Sequence, residues 1–248
     1  NIKKINGFTL QQVSRDVWAI DEFGIDIMYL IIGTERALLI DTGIGIGNIR
    51  SVVETMTHLP YDVVNTHHHY DHTDANLEIK NFFHARVVGA EYDANRIPGL
   101  DETVKDGDIW MLGNTKAEVI KVDGHTRGHI LWYFPDDKAL FTGDTLFNLC
   151  IGGLFEGTPK EMFASLNKIK KLPDDTLFYP GHEYTMHGMA FAVHNDPHNP
   201  ELRRYVAEAQ VRLGRGLPAG PVSIGLEKRC NPYLKAQTLD ELEQLLGQ

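Results

Sequence analysis

Cysteine is scarce in this chain: Cys150 and Cys230 are the only two in 248 residues. Two thiols make no disulfide framework, which excludes a small stapled scaffold and points to a reducing, cytoplasmic setting. Long apolar runs are missing as well. None approaches the roughly 20 residues that cross a bilayer, so no membrane partner is expected. No stretch has the zones of a secretory signal. The sequence begins at Asn1 rather than Met, which leaves room for a leader trimmed before it. Positive charge is in deficit, with 24 Lys and Arg against 34 Asp and Glu and a net charge of -10. That balance argues against nucleic acid, whose phosphates call for a basic face. Internal repeats and low-complexity stretches are also lacking. What remains, 42% hydrophobic and 23% charged, is the make-up of a globular chain with a core. Its length suits one sizeable domain, or one with a small appendage.

Short apolar or alternating runs at 8–13, 17–20, 27–32 and 37–40, divided by Gly and charged residues, predict strands. Helical spacing follows over 48–59, a strand at 63–65 and a short helix over 71–79. Further strands are expected at 109–112, 117–122, 130–134, 139–141 and 177–179. Thr158-Pro159-Lys160-Glu161 opens a helix: Thr158 can cap it, Pro159 suits its first position, and Glu161 can complete a capping box. After about Val193 the composition shifts, with helices expected over 200–213 and 238–246 and a second capping box at Thr238 and Glu241. The expected division is a catalytic domain over 1–195 and a short helical segment over 196–248.

The densest chemistry lies in Thr66-His67-His68-His69-Tyr70-Asp71-His72. In an extended stretch alternate side chains share a face, so His67 and His69 can reach one point while His68 turns away. Asp71 and His72 follow the bend and can face a second point. Three imidazoles and a carboxylate this close suit metal ions, and two points suit two ions better than one. His58, His84, His187, His194 and His198 stand alone, and an isolated imidazole needs no metal to be satisfied. Three more donors sit beside glycine at strand ends: His125 after Gly124, Asp144 after Gly143, and His182 after Gly181. Glycine there lets backbone approach a site closely.

His-x-His-x-Asp-His followed by His125, Asp144 and His182 resembles the metallo-β-lactamase superfamily. The resemblance implies an α/β fold, the αββα four-layer sandwich, with two metals at the sheet edges. It implies that His67, His69 and His125 hold one metal and Asp71, His72 and His182 the other, with Asp144 bridging. Asp41, in Ile40-Asp41-Thr42-Gly43, matches the superfamily's Asp-x-Gly turn and would support the ligands from behind, or be no more than a turn-forming Asp.

The later half is similar to glyoxalase II, the hydroxyacylglutathione hydrolases, through Phe141-Thr142-Gly143-Asp144-Thr145, Glu156-Gly157-Thr158-Pro159, Pro180-Gly181-His182-Glu183-Tyr184 and the closing Asn231-Pro232-Tyr233-Leu234-Lys235. This likeness spans roughly 105–240, and the first hundred residues share only superfamily features. It implies substrate contacts at Tyr184 and Phe155. The basic residue that the family usually sets against the glutathione carboxylate is here Gly153, and the short tail offers Lys235 in its place.

The expected reaction is hydrolysis of an acyl thioester by attack of a metal-bridging hydroxide, with Asp144 bridging and Asp71 able to take up a proton. A thiolate leaves without protonation, since a free thiol has a pKa of about 8.5. Zinc is the first expectation for the two divalent ions, with iron and manganese open to the same ligands. A small-molecule lactone or ester is the alternative substrate, motivated by Gly153. A β-lactamase, a nuclease, a single-iron persulfide dioxygenase and a non-enzymatic metal-binding scaffold stand further back, the last two because the ligand set is complete. The acyl group, the thiol carrier and the oligomeric state are left open.

Overall fold

Short runs rich in Val, Ile and Leu, some alternating and some apolar throughout, form the strands of the first 136 residues. The computed structural model describes all residues, Asn1–Gln248. The chain forms two compact units, one of Asn1–Lys121 and Gly128–Asp136, the other of Val122–Arg127 and Asp137–Gln248.

In the first unit the elements run β1 (Ile2–Ile5), β2 (Phe8–Gln12), β3 (Val17–Glu22), β4 (Asp26–Ile32), β5 (Ala37–Ile40), α1 (Ile49–Met56), β6 (Tyr61–Val64), α2 (Tyr70–Thr73), α3 (Asn76–Phe83), β7 (Val87–Ala90), β8 (Glu102–Val104), β9 (Ile109–Leu112), β10 (Thr115–Lys121) and β11 (Ile130–Phe134). Strands β1 to β8 form one sheet in chain order. Pairing is antiparallel as far as β5 and parallel from β5 to β8. The change comes where helices begin to separate the strands, because a parallel neighbour needs a crossover connection. Every residue of β5 and β6 is buried, as in strands covered on both faces. Leu39, Val63 and Val87 pack with Ile49, Val52 and Val53 of α1 and Ile79 of α3. Asp41 follows β5 and His67 follows β6 at their carboxyl ends, the edge where open α/β sheets place their sites.

The expected helix over 71–79 is instead two, α2 and α3, broken at Asp74 and Ala75. Side-chain bonds compete with the helix there. Thr73 Oγ1 donates to His69 O at 3.1 Å, and Asn76 Nδ2 donates to buried Asn65 Oδ1 at 2.8 Å.

The second unit holds β12 (Ala139–Gly143), β13 (Leu146–Phe147), β14 (Cys150–Ile151), α4 (Pro159–Lys170), β15 (Leu177–Pro180), α5 (Thr185–Asn195), α6 (Pro200–Leu213), β16 (Val222–Ser223), α7 (Ile224–Cys230), α8 (Pro232–Lys235) and α9 (Leu239–Leu246). β12 and β15 pair in parallel, β15 and β16 antiparallel, and β13 with β14 forms a hairpin. The capping box of α4 is complete, with Pro159 at its start. The second one is only half made. Thr238 accepts from Glu241 N–H, but the Glu241 carboxylate takes the N–H of Gln237 at 2.7 Å instead of that of Thr238. Leu149 of the hairpin packs with Met189 and Ala192 of α5, Leu202 and Tyr205 of α6, and Cys230 of α7. Both cysteines are buried free thiols. No helix is long and apolar enough to cross a membrane.

One carboxylate lies inside this helical packing. Glu227 of α7 is fully buried, and burial pushes its pKa up to about 7, against the pull of hydrogen bonds from Tyr205, Asn231 and the Leu149 N–H. A pKa raised above its ordinary 4.5 means that the folded chain binds the extra proton, so stability falls as pH climbs from that value through about 7. Thermal unfolding of the native chain is expected to show that decline between about pH 5 and 7.5. Glu227→Gln, which cannot ionise, is expected to flatten it, and an unchanged slope would contradict the assignment.

Candidate metal centre

In the first unit the donors leave the end of β6. His67 and His72 are buried, and His69 and Asp71 are half-buried. The ligand-type atoms of His67 and His69 lie within 4.8 Å of one another, as do those of His67 and His72 and those of Asp71 and His72. Two donors on one ion, with bonds of 2.0–2.2 Å, are roughly 3–4 Å apart, so His67 with His69, and Asp71 with His72, need little movement to share one.

Their orientation is set by Asp41. It is buried and left-handed at φ 60, a conformation that Asp tolerates better than most residues. Its Oδ1 accepts the Thr66 N–H and its Oδ2 the Thr66 hydroxyl, both at 2.8 Å. Its Oδ2 also lies 2.9 Å from His72 Nδ1, which assigns the proton to that nitrogen and leaves Nε2 for a metal. Thr66 Oγ1 is 3.1 Å from His67 Nδ1. With the hydroxyl hydrogen committed to Asp41, Thr66 accepts from His67 Nδ1–H, and His67 too keeps Nε2 for a ligand bond. One carboxylate therefore orients two histidines. The His72 carbonyl is fixed as well, by Thr42 N–H at 2.9 Å and Asn65 Nδ2 at 3.1 Å.

His68 points elsewhere, as its place in the alternation predicts. Its ring nitrogens meet Asp93 at 3.3 Å and Arg96 at 3.2 Å, and Arg96 closes the ring of contacts on Asp93. Buried His129 stacks on His67, centroids 4.7 Å apart. Glu22, also buried, accepts the N–H groups of Ile44 and Gly47 and braces the loop after Asp41. Sequence reasoning missed Glu22, Asp93 and His129.

In the second unit His125, Asp144 and His182 are all buried. His182 Nε2 lies 3.1 Å and His125 Nε2 3.5 Å from Asp144 Oδ2, so one carboxylate oxygen faces both imidazoles. His125 Nδ1 lies 2.8 Å from the Gly153 carbonyl and donates to it, which again leaves Nε2 for a ligand bond. Asp144 comes off the end of β12 and His182 off the end of β15, two parallel neighbours. In both units the donors are buried or half-buried imidazoles and carboxylates, with His67, His72 and His125 held by hydrogen bonds behind them, a set that fits zinc, iron or manganese.

The four candidate substrate residues are placed in the second unit. Tyr184 is 47% exposed and its ring stacks on His182, centroids 5.0 Å apart. Phe155 is 72% exposed and stands edge-on to His125 at 5.1 Å. Gly153 acts through its carbonyl. Lys235 is paired with Asp196 and lines a groove of 310 Å³ with Asn195, Pro232 and Glu241.

Comparison with known proteins gives a consistent picture. Residues 27–182 match the family model of the metallo-beta-lactamase superfamily, and residues 183–248 that of the hydroxyacylglutathione hydrolase C-terminus. The hydroxyacylglutathione hydrolase of Rhodospirillum rubrum is 45% identical over 186 residues, 75% of this chain and 71% of that protein. That of Pelagibacter ubique is 40% identical over 219 residues, 88% of this chain and 91% of that protein. The likeness thus runs well beyond the span of 105–240 expected from the motifs. Among solved structures, that of ETHE1 from Myxococcus xanthus matches with a TM-score of 0.67 at 25% identity, over 90% of this chain and 86% of that one. The α/β fold of metallo-β-lactamase type is the one found.

Asp41→Asn keeps the size of the side chain and its tolerance of the left-handed backbone, but takes away the charge that orients His72 and Thr66. Metal affinity is expected to fall roughly 10- to 100-fold, the usual effect of losing a partner behind a ligand, read by competition with a chelator. Native affinity in the folded variant would contradict this role.

Proposed function

Because the chain belongs to the metallo-beta-lactamase superfamily and, within it, to the hydroxyacylglutathione hydrolases, we propose that it is a metal-dependent hydrolase of hydroxyacylglutathione thioesters. His67, His69 and His125 hold one divalent ion in this reading, Asp71, His72 and His182 the other, and Asp144 bridges them. The position of Asp144 carries it: one oxygen, Oδ2, faces the Nε2 atoms of His125 and of His182, histidines assigned to different ions. Zinc is the first choice for the ions, with iron and manganese compatible with the same donors. The buried free thiols of Cys150 and Cys230 agree with a cytoplasmic setting.

Ions held there supply an acidified water, its pKa lowered from 15.7 to about 7, and a Lewis acid for the thioester carbonyl. The chain's own part is orientation. Asp41 and the Gly153 carbonyl fix which nitrogen of His72 and of His125 carries the proton. Asp71 is half-buried and would take up the proton that the water gives up. The thiol leaves as a thiolate, so no further acid is required of the protein. Tyr184 and Phe155, exposed on His182 and His125, offer flat apolar walls and one hydroxyl to the substrate.

The test is thiol release from S-D-lactoylglutathione by the metal-loaded enzyme, run beside an acyl-CoA and a simple lactone. Saturable turnover of the glutathione thioester is expected to exceed both. A lactone cleaved faster would overturn the substrate. Asp144→Asn is expected to bind fewer than two ions per chain and to lose at least about 100-fold in kcat, on the scale of removing one electrostatic stabiliser from a dry site. Two ions and full turnover in that variant would refute the bridge.

A further inference from the structure

We propose that Glu227 is a positioning residue for the metal ligands of the second unit, and that it acts through the hairpin of β13 and β14. The inference rests on the reading of His125, Asp144 and His182 as metal ligands.

The base of the hairpin touches those ligands. It leaves the chain directly after Asp144 and Thr145, and Thr142 Oγ1 ties its first residue by donating to Leu146 O at 2.8 Å. It returns at Gly152, whose N–H donates to Thr145 O at 3.3 Å. A Cβ on Gly152 would lie 1.8 Å from the Asp144 carbonyl oxygen and 3.0 Å from His125 Nδ1. The carbonyl of the next residue, Gly153, accepts the His125 Nδ1–H. Phe147, on the first arm, packs against His182 with centroids 6.0 Å apart and against Tyr184 at 5.0 Å. A shift of the hairpin therefore moves the surroundings of all three ligands.

The tip is held by the C-terminal helices. Leu149 is left-handed at φ 62, a conformation costly for a branched side chain and kept only where the surroundings impose it. Glu227 imposes it. Its carboxylate accepts the Leu149 N–H at 3.0 Å, the Tyr205 hydroxyl at 2.7 Å and Asn231 Nδ2 at 2.8 Å. Tyr205 accepts in turn from Asn148 Nδ2 at 2.7 Å, and Asn231 Nδ2 reaches the Cys150 carbonyl at 3.2 Å. Gly188 of α5 closes over the tip, where a Cβ would meet Asn148 O at 2.7 Å. Asn148, Leu149 and Cys150 are thus each tied to one buried carboxylate or its partners. Removing the carboxylate leaves several buried donors without an acceptor.

The experiment compares metal-free native chain, Glu227→Ala, Glu227→Gln, Tyr205→Phe and Leu242→Ala, each titrated with zinc against a chelator. Leu242 is a fully buried residue of α9 and serves as a stability control away from the hairpin. In histidine-labelled protein, the imidazole Nδ1–H signal of His125 reports its bond to Gly153. Glu227→Ala is expected to weaken zinc binding roughly 10- to 100-fold and to broaden or lose that signal. The milder Glu227→Gln and Tyr205→Phe should show smaller losses in the same order, and they carry the test if the alanine variant does not fold. Leu242→Ala is expected to lower Tm yet keep native affinity and an unchanged His125 signal. Native affinity in folded Glu227 and Tyr205 variants overturns the proposal, as does an equal loss in Leu242→Ala. Failure of the native chain to bind zinc would strike the metal reading itself, a separate result.

Discussion

Burying an imidazole or a carboxylate is costly unless a partner takes over from water, and this structure is organised around meeting that demand. Asp41, His67, His72, His125, Asp144 and His182 are all buried. Asp41 is covered by Thr66 and His72, and His125 by the Gly153 carbonyl. The bonds to His72 and His125 also select a tautomer, so the arrangement that makes burial tolerable leaves Nε2 available to a metal. The contacts that satisfy buried groups are also those that would orient ligands in the proposed centre. The contacts of Asp41 sit at the carboxyl ends of β5 and β6, where strands stop and backbone is free to turn.

The donors were legible because their spacing is local. His67, His69, Asp71 and His72 lie within six residues, and His125, Asp144 and His182 each stand beside a glycine at a predicted strand end. Strands with unbroken apolar runs, such as β5 and β11, were legible for the same reason. The partners behind the ligands were not. Glu22 is 22 residues from Ile44, and Glu227 is 78 residues from Leu149, so no periodicity links either pair. The break between α2 and α3 was hidden because it comes from Asn76 bonding to Asn65, eleven residues back. The sequence offers Lys235 to the substrate, and only the structure pairs it with Asp196.

The C-terminal helices are the part that composition alone describes least well. They look like an appendage of ordinary amphipathic helices. Their packing around Leu149 and Glu227 instead ties them to the hairpin that borders Asp144 and His125. A segment matched to the hydroxyacylglutathione hydrolase C-terminus thus packs on the hairpin beside the proposed ligands Asp144 and His125.

In the proposed function Asp144 lies between two ions. Anomalous scattering at the zinc edge, from crystals grown with zinc, tests it most directly. The account predicts two peaks: one bonded to His67, His69 and His125, the other to Asp71, His72 and His182, and both in contact with Asp144. A single peak, or two with Asp144 bonded to only one, would contradict it.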